Sequence, residues 1–516
     1  MLAFSRDFER CYRAVESRDA RFDGWFITAV KTTGIYCRPS CPTPVRPKRE
    51  NVQFYPTAAA AQLAGFRACK RCRPDASPGS PEWNVRGDLV GRAMRLIADG
   101  TVDRDGVAGL ARRLSVSERH LHRLLLSELG AGPLAIARAQ RAQTARVLIE
   151  TTDLPFTDVA FAAGFESIRQ FNDTTREVFA LTPTELRTAG RRRGEIADGA
   201  LTLRLPYRPP IDWSTLSGWL RVRALPGVAE LNGRVYRRTL RLPRGVGVVA
   251  LEPIDTHIQC TLRLESMADL TSAVRQCRRL LDLDADPLSV VEVLSQDRRL
   301  SRIVKKRPGL RAPGAVDGTE LAIQAILGQQ VSLAAARTLA TRLVTANGDV
   351  IKIADPTLTH LFPQAGAIAE ADLSKLGVPA TRRATLYALA RAVASGALAL
   401  DPGADRTETY QQLLRLPGIG EWTAGYIVMR ALGDPDTFLP GDLGIRKAGA
   451  RLGLGTNPRA MSEHAAAWRP WRSYATHQLW ATLNDPPYKP APAWKSWRGR
   501  ISQPQRGKAG VKVKEA

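Results

Sequence analysis

The stretch Cys37-Arg-Pro-Ser-Cys41, followed after a gap by Cys69-Lys-Arg-Cys72, constrains this chain more than any other. Two short-spaced cysteine pairs across a modest loop match the tetrahedral four-thiolate arrangement that zinc takes in small domains. Four of the seven cysteines cluster here, so Zn2+ is the expected cofactor, with Cys37, Cys41, Cys69 and Cys72 as its ligands. A zinc-held thiol is deprotonated at neutral pH, which makes each ligand a latent nucleophile. Arg38, Arg46, Lys48, Arg49, Arg67, Lys70, Arg71 and Arg73 crowd the same segment. Such a cluster would hold a polyanion against the metal. Spacing alone is also compatible with a structural zinc knuckle that has a solvated basic face.

At 516 residues the chain exceeds one ordinary core and implies three or four domains. Its formal net charge of +25 points to nucleic acid or another anionic surface. No window approaches the ~18–20 apolar residues of a membrane span, so no membrane partner is expected. The opening Met-Leu-Ala-Phe-Ser-Arg-Asp-Phe-Glu-Arg is charged and amphipathic rather than a signal peptide. With reduced-looking cysteines, this implies a cytoplasmic, nucleoid-associated protein. Cys11, Cys260 and Cys277 lack ligand spacing and read as packed thiols.

The runs Ala29-Val-Lys-Thr-Thr-Gly-Ile-Tyr-Cys37, Arg49-Glu-Asn-Val-Gln-Phe-Tyr55 and Ala64-Gly-Phe-Arg-Ala-Cys69-Lys-Arg-Cys72-Arg-Pro-Asp75 closely resemble the amino-terminal domain of the Ada family, which senses DNA alkylation. The resemblance implies that Cys37 takes a methyl group from a methylphosphotriester in the DNA backbone. Thr33, Arg46, Arg67 and Lys70 are the expected DNA contacts of this domain. The family's second methyltransferase motif, Pro-Cys-His-Arg, is missing from the sequence, so that activity is not expected.

From Asn84 to about Arg187 the pattern is helical, with Leu89, Ala93, Leu96 and Ile97 on one face. Val107 to Ser117 leads into Glu118-Arg-His-Leu-His-Arg-Leu-Leu, a short helix, a tight turn and a Ser-capped second helix. The signature recurs as Phe156 to Phe165 followed by Glu166 to Phe179. Two copies could offer recognition helices to successive major grooves. The second copy resembles the AraC-type DNA-binding family, with Ala180 where that family usually has glycine. Candidate base contacts are Arg119, His120, His122, Arg123, Arg169, Gln170 and Asn172.

Arg191-Arg-Arg193 reads as a basic hinge. Alternating stretches at Leu201–Tyr207, Arg237–Leu242, Gly247–Glu252 and Thr256–Leu264, with a helix over Leu270–Leu281, predict a small α+β domain. Pro209-Pro-Ile-Asp-Trp213 through Gly218-Trp-Leu220, and Pro308 through Ser332, resemble the AlkA-like 3-methyladenine DNA glycosylases. Leu416-Pro-Gly-Ile-Gly-Glu-Trp-Thr-Ala424 puts Gly418 and Gly420 between helical patterns, where backbone amides can approach a phosphate. With Phe438-Leu-Pro-Gly-Asp442 downstream, it resembles the helix-hairpin-helix glycosylase superfamily. That resemblance maps the catalytic carboxylate to Asp442, with Asp434 and Asp436 as nearby alternatives. It maps Trp422, Tyr426 and Trp480 to the base pocket, with Trp219 reaching in from the preceding domain. Gln330 stands at the wedge position, where an apolar residue is more usual. Leu443 replaces an aromatic. Trp422 stands where strand-cutting relatives carry lysine, and no cysteine follows Cys277 to hold an iron–sulfur cluster.

The expected fold is multidomain and mainly α with small α+β parts. Its expected parts are a zinc methyl-acceptor domain (1–76), an AraC-type DNA-binding domain (84–188), an AlkA-like α+β domain (197–286), an all-α helix-hairpin-helix glycosylase domain (287–485) and a basic tail (486–516). The expected function is an alkylation-damage response protein, a monomer whose partners are double-stranded DNA and RNA polymerase. The rival reading is a regulator with a noncatalytic carboxyl-terminal DNA-binding module.

Overall fold

The computed structural model describes residues 7–19, 22–43, 46–72, 74, 88–190, 200–353 and 355–484. The linker expected at 76–81, the hinge at 191–193, Arg73 and the tail from 486 lie outside the described residues.

The first unit opens with a helix, Phe8–Glu16, capped by the Asp7 carboxylate on the Arg10 amide. A four-stranded sheet follows, built from β1 (Ile27–Val30), β2 (Ile35–Cys37), β3 (Val52–Tyr55) and β4 (Arg67–Ala68), in the order β3-β1-β2-β4. The antiparallel β1–β2 hairpin and the parallel β2–β4 pair place the ends of β2 and β4 side by side.

Next come the helices of the double helix-turn-helix. In the first copy, the helical run Thr101–Arg113 breaks at Gly106 (φ 68°), so the motif proper starts at Val107, where the sequence placed it. Ser117 caps Glu118–Leu129 and Ser167 caps Ile168–Phe179, each hydroxyl accepting an amide at 3.2 Å. Pro133–Thr151 joins the copies. Ala180 closes the last recognition helix in the left-handed region (φ 51°, ψ 38°), a conformation that strains any residue with a Cβ. Ala180→Gly is therefore expected to stabilise this domain by roughly 0.5–1 kcal/mol, read as a higher midpoint for its transition in thermal unfolding of the whole chain.

The α+β unit is an antiparallel sheet ordered β5-β9-β8-β7-β6, comprising Leu201–Pro206, His257–Leu264, Gly245–Ile254, Val235–Leu242 and Ala229–Asn232. The helix Leu270–Leu280 covers it, and Cys260 and Cys277 are fully buried in that core. The remainder is helical. One core gathers Leu321–Leu327 with Leu386–Ala390 and Ala424–Leu432. A second packs Val290–Val304 against Ile445–Leu479, so early and late segments close the same unit.

The DNA-binding and glycosylase halves also touch. Arg92 and Arg95 donate from Nε to the carbonyls of Gly403 and Pro402 at 2.8 and 2.6 Å, and Arg113 pairs with Asp401 at 3.1 Å. A Cβ at Gly403 would meet Leu96 at 2.4 Å, so glycine permits this approach. Arg208 donates to the backbone of both Asp23 and Asp284, tying the zinc unit to the α+β domain.

Candidate functional site

The parallel register pairs Tyr36 with Ala68, which sets Cys37 beside Cys69. Cys41 lies on a turn closed by its amide on the Arg38 carbonyl, and the Cys72 amide points at Cys69 Sγ at 3.5 Å. The four ligand atoms lie within 4.8 Å of one another. Tetrahedral Zn–S bonds of about 2.3 Å place sulfurs about 3.8 Å apart, so the cluster fits zinc after slight contraction. Cys41, Cys69 and Cys72 are buried, whereas Cys37 is only half-buried. Thr33, Arg46, Arg67 and Lys70 are all exposed.

On the recognition helices, Arg119, His120, His122 and Arg123 are exposed, as are Arg169 and Gln170. Asn172 is half-buried. Arg169 forms a loose pair with Asp173 at 3.9 Å and leaves 93% of its side chain exposed, free to reach a phosphate or base edge.

The second centre forms where the helix Glu421–Ala431 meets the helix Leu443–Arg451. Asp442 is the N-cap of the latter, its Oδ1 accepting the Ile445 amide at 2.9 Å. The same oxygen accepts from Trp480 Nε1 at 2.9 Å, while Oδ2 accepts from Trp422 Nε1 at 2.8 Å. The ionised carboxylate is thus oriented by two indoles and a helix N-terminus, all of which favour negative charge. Gly444 permits the approach, since a Cβ there would meet Asp442 Oδ1 and Leu483 at 3.0 Å. Asp434 and Asp436 are engaged elsewhere: Asp434 with Thr437 and Arg406, Asp436 with Arg469 and Arg472.

Asp442 borders a cavity of about 880 Å3 between the α+β and helical units. Trp422 stacks on Tyr426 at 5.2 Å, and Trp480 stands edge-on to Tyr426 at 6.4 Å. Trp219 enters from the α+β domain, with Trp480 stacked at 5.3 Å and the Arg223 guanidinium over its ring at 3.4 Å. Both its faces are thereby occupied, so Trp219 backs the pocket instead of offering an open platform. Burial tends to raise the Tyr426 hydroxyl, but Arg430 and Arg223 beside it pull it below the usual phenol range.

The glycine hairpin lies between Arg406–Leu414 and Glu421–Ala431. Gly418 has φ +81°, and a Cβ there would stand 2.1 Å from Thr385 Oγ1. Gly420 is the N-cap of Glu421–Ala431, and both glycines are exposed. Gln329 Nε2 donates to the Gly418 carbonyl and to Thr423 Oγ1, each at 3.0 Å, and Arg382 donates to the Gln329 carbonyl at 2.7 Å. These bonds fix the neighbouring Gln330, an exposed residue at φ 55° on the rim. Sequence reasoning missed Gln329, Arg382, Arg223, Arg430 and His477. The helical spacing of His477 three residues before Trp480 was the one available signal. Gly418→Ala is expected to cost about 1–3 kcal/mol, seen as lower melting of the helical unit and weaker binding to undamaged duplex.

Family models match four consecutive segments of the chain: the metal binding domain of Ada (10–75), a helix-turn-helix domain (110–189), the AlkA N-terminal domain (202–317) and the HhH-GPD superfamily of base excision DNA repair proteins (323–473). The chain is 58% identical over 484 residues to a Mycobacterium tuberculosis protein named probable bifunctional transcriptional activator/DNA repair enzyme AlkA, covering 93% of this chain and 97% of that one. It belongs to that family. Its carboxyl-terminal half is also 35% identical over 286 residues to Escherichia coli DNA-3-methyladenine glycosylase 2, covering 54% of this chain and 96% of that protein. Its amino-terminal part is 35% identical over 179 residues to the Escherichia coli bifunctional transcriptional activator/DNA repair enzyme Ada, covering 35% of this chain and 49% of that one. As a member of this family the chain is multidomain and largely helical, its four-cysteine cluster is a zinc site, and DNA is its partner. No helix among the described residues is long and apolar enough to cross a membrane.

Proposed function

We propose that this protein senses alkylated DNA with Cys37, activates transcription, and excises alkylated bases with Asp442. The family membership supports both activities. The observation that carries the enzymatic half is the Asp442 carboxylate, clasped by Trp422 and Trp480 beside an aromatic cavity.

In the sensing step the Cys37 thiolate attacks the methyl carbon of a phosphotriester. A C–S bond forms, the C–O bond breaks, and an ordinary phosphodiester anion leaves. Bound zinc supplies the ionisation that makes the sulfur nucleophilic at neutral pH. Half-exposure favours Cys37 over its three buried neighbours as acceptor. The cluster's formal charge rises from about −2 to about −1 on methylation. Repulsion of the DNA backbone falls, and the exposed Arg46, Arg67 and Lys70 can hold it more tightly. The thioether ends that molecule's methyl transfer after one event.

In excision the base is extruded from the helix into the cavity, while the hairpin amides near Gly418 and Gly420 hold the backbone. As the glycosidic bond breaks, positive charge builds on the deoxyribose and Asp442 stabilises it. The same carboxylate orients the attacking water. Electron-rich rings favour the cationic purines 3-methyladenine and 7-methylguanine. No lysine replaces Trp422, so the strand is left uncut. We also propose that the molecule acts as a monomer, contacts RNA polymerase at its operator and works at the nucleoid, in the five-part division given above. The test is release of 3-methyladenine and 7-methylguanine from methylated duplex by purified zinc-loaded protein. Absence of release leaves a regulator with a noncatalytic DNA-binding half.

A further inference from the structure

The cavity wall holds two polar atoms that the proposed chemistry does not use. Trp219 Nε1 and His477 Nε2 are each buried and have no hydrogen-bond partner among the described residues. Both side chains line the cavity that Asp442 borders. Their rings are neighbours, with centroids 4.9 Å apart in an edge-to-face arrangement, and His477 stands edge-on to Trp480 at 5.1 Å. His477 is 4% exposed. Buried polar groups in folded proteins are almost always paired, so two adjacent unpaired ones on a cavity wall mark where a ligand supplies the partner.

We propose that Trp219 Nε1 and His477 Nε2 form a hydrogen-bonding pair that reads a carbonyl edge of the extruded base, which makes His477 a specificity-determining residue. This rests on the base-excision reading of the cavity. An indole nitrogen can only donate, whereas a neutral imidazole has one N–H to offer, and a carbonyl oxygen has lone pairs for both. The surrounding charge points the same way. The Arg223 and Arg430 guanidiniums lie 3.4 and 5.3 Å from the Trp219 ring, and their positive field favours an oxygen over an amino group. Burial, then Arg430 and Arg223, hold His477 well below the ordinary imidazole range. The ring therefore stays neutral and adds no third positive charge against a methylated purine. The 6-oxo edge of 7-methylguanine suits this pair, and the 6-amino edge of 3-methyladenine leaves the indole N–H unmatched.

The experiment uses the full zinc-loaded chain and one methylated duplex that contains both lesions, with both released bases quantified from each reaction. His477→Leu and Trp219→Phe should each lower 7-methylguanine release about tenfold relative to 3-methyladenine release. His477→Gln, which restores an N–H donor, should recover part of that ratio. Trp219→Phe keeps an aromatic ring and removes only the donor, so it decides the matter if His477→Leu lowers the melting temperature. An unmoved ratio in Trp219→Phe, with release still dependent on Asp442, overturns the pair and leaves base excision standing. No release of either base by the unaltered protein overturns both.

Discussion

Asp442→Asn is expected to lower alkylbase release by about three orders of magnitude while leaving the protein folded. The size follows from the role assigned to the group, since removing a preorganised charge partner of a developing charge costs on the order of 10²–10³ in rate, and the same residue also orients water. The intact fold follows from the geometry. Asparagine is as good a helix N-cap as aspartate, so the bond from the Ile445 amide survives. Its amide oxygen can still accept from one indole, Trp422 or Trp480. Single-turnover assays on methylated duplex, run beside thermal melting, separate the two effects. Release within tenfold of the unaltered protein would remove Asp442 from the chemistry.

Cys37→Ser should abolish methyl uptake altogether, from about one methyl per chain to none, because an alcohol at neutral pH is not the nucleophile that a metal-held thiolate is. Operator affinity should then no longer rise after exposure to methylated DNA. Base excision should be unchanged, because the cysteine cluster and the core beneath Asp442 are separate clusters of side chains. Labelled phosphotriester DNA and a footprint before and after exposure measure both arms. Persistent labelling of Cys37→Ser would move the acceptor role to another of the four cysteines.

The cysteine cluster was legible because its ligands sit in two short motifs, and only the β2–β4 pairing was needed to join them. The helix-turn-helix copies were legible for the same reason: Ser117 and Ser167 are local caps, and local signals survive in a one-dimensional reading. Asp442 was placed by its motif. What holds it was hidden, because Trp422 and Trp480 lie 20 and 38 residues away and converge only through packing. Trp219 was expected at the pocket, yet nothing in its neighbourhood announced that Arg223 and Trp480 would cover both its faces. The short strand Ala229–Asn232 and the helix Trp213–Arg221 were not read as elements, since each is too brief for a period to stand out. His477 is the extreme case, a single histidine whose meaning comes wholly from which rings and guanidiniums surround it.

The contacts of Arg92, Arg95 and Arg113 on the loop 401–403 bear on how the molecule travels along a chromosome. Two modules on a slack string sample every nearby duplex, whereas two modules clamped together behave like the jaws of a caliper. Only DNA whose path satisfies both jaws can be gripped twice, so curvature of the double helix becomes something this protein measures.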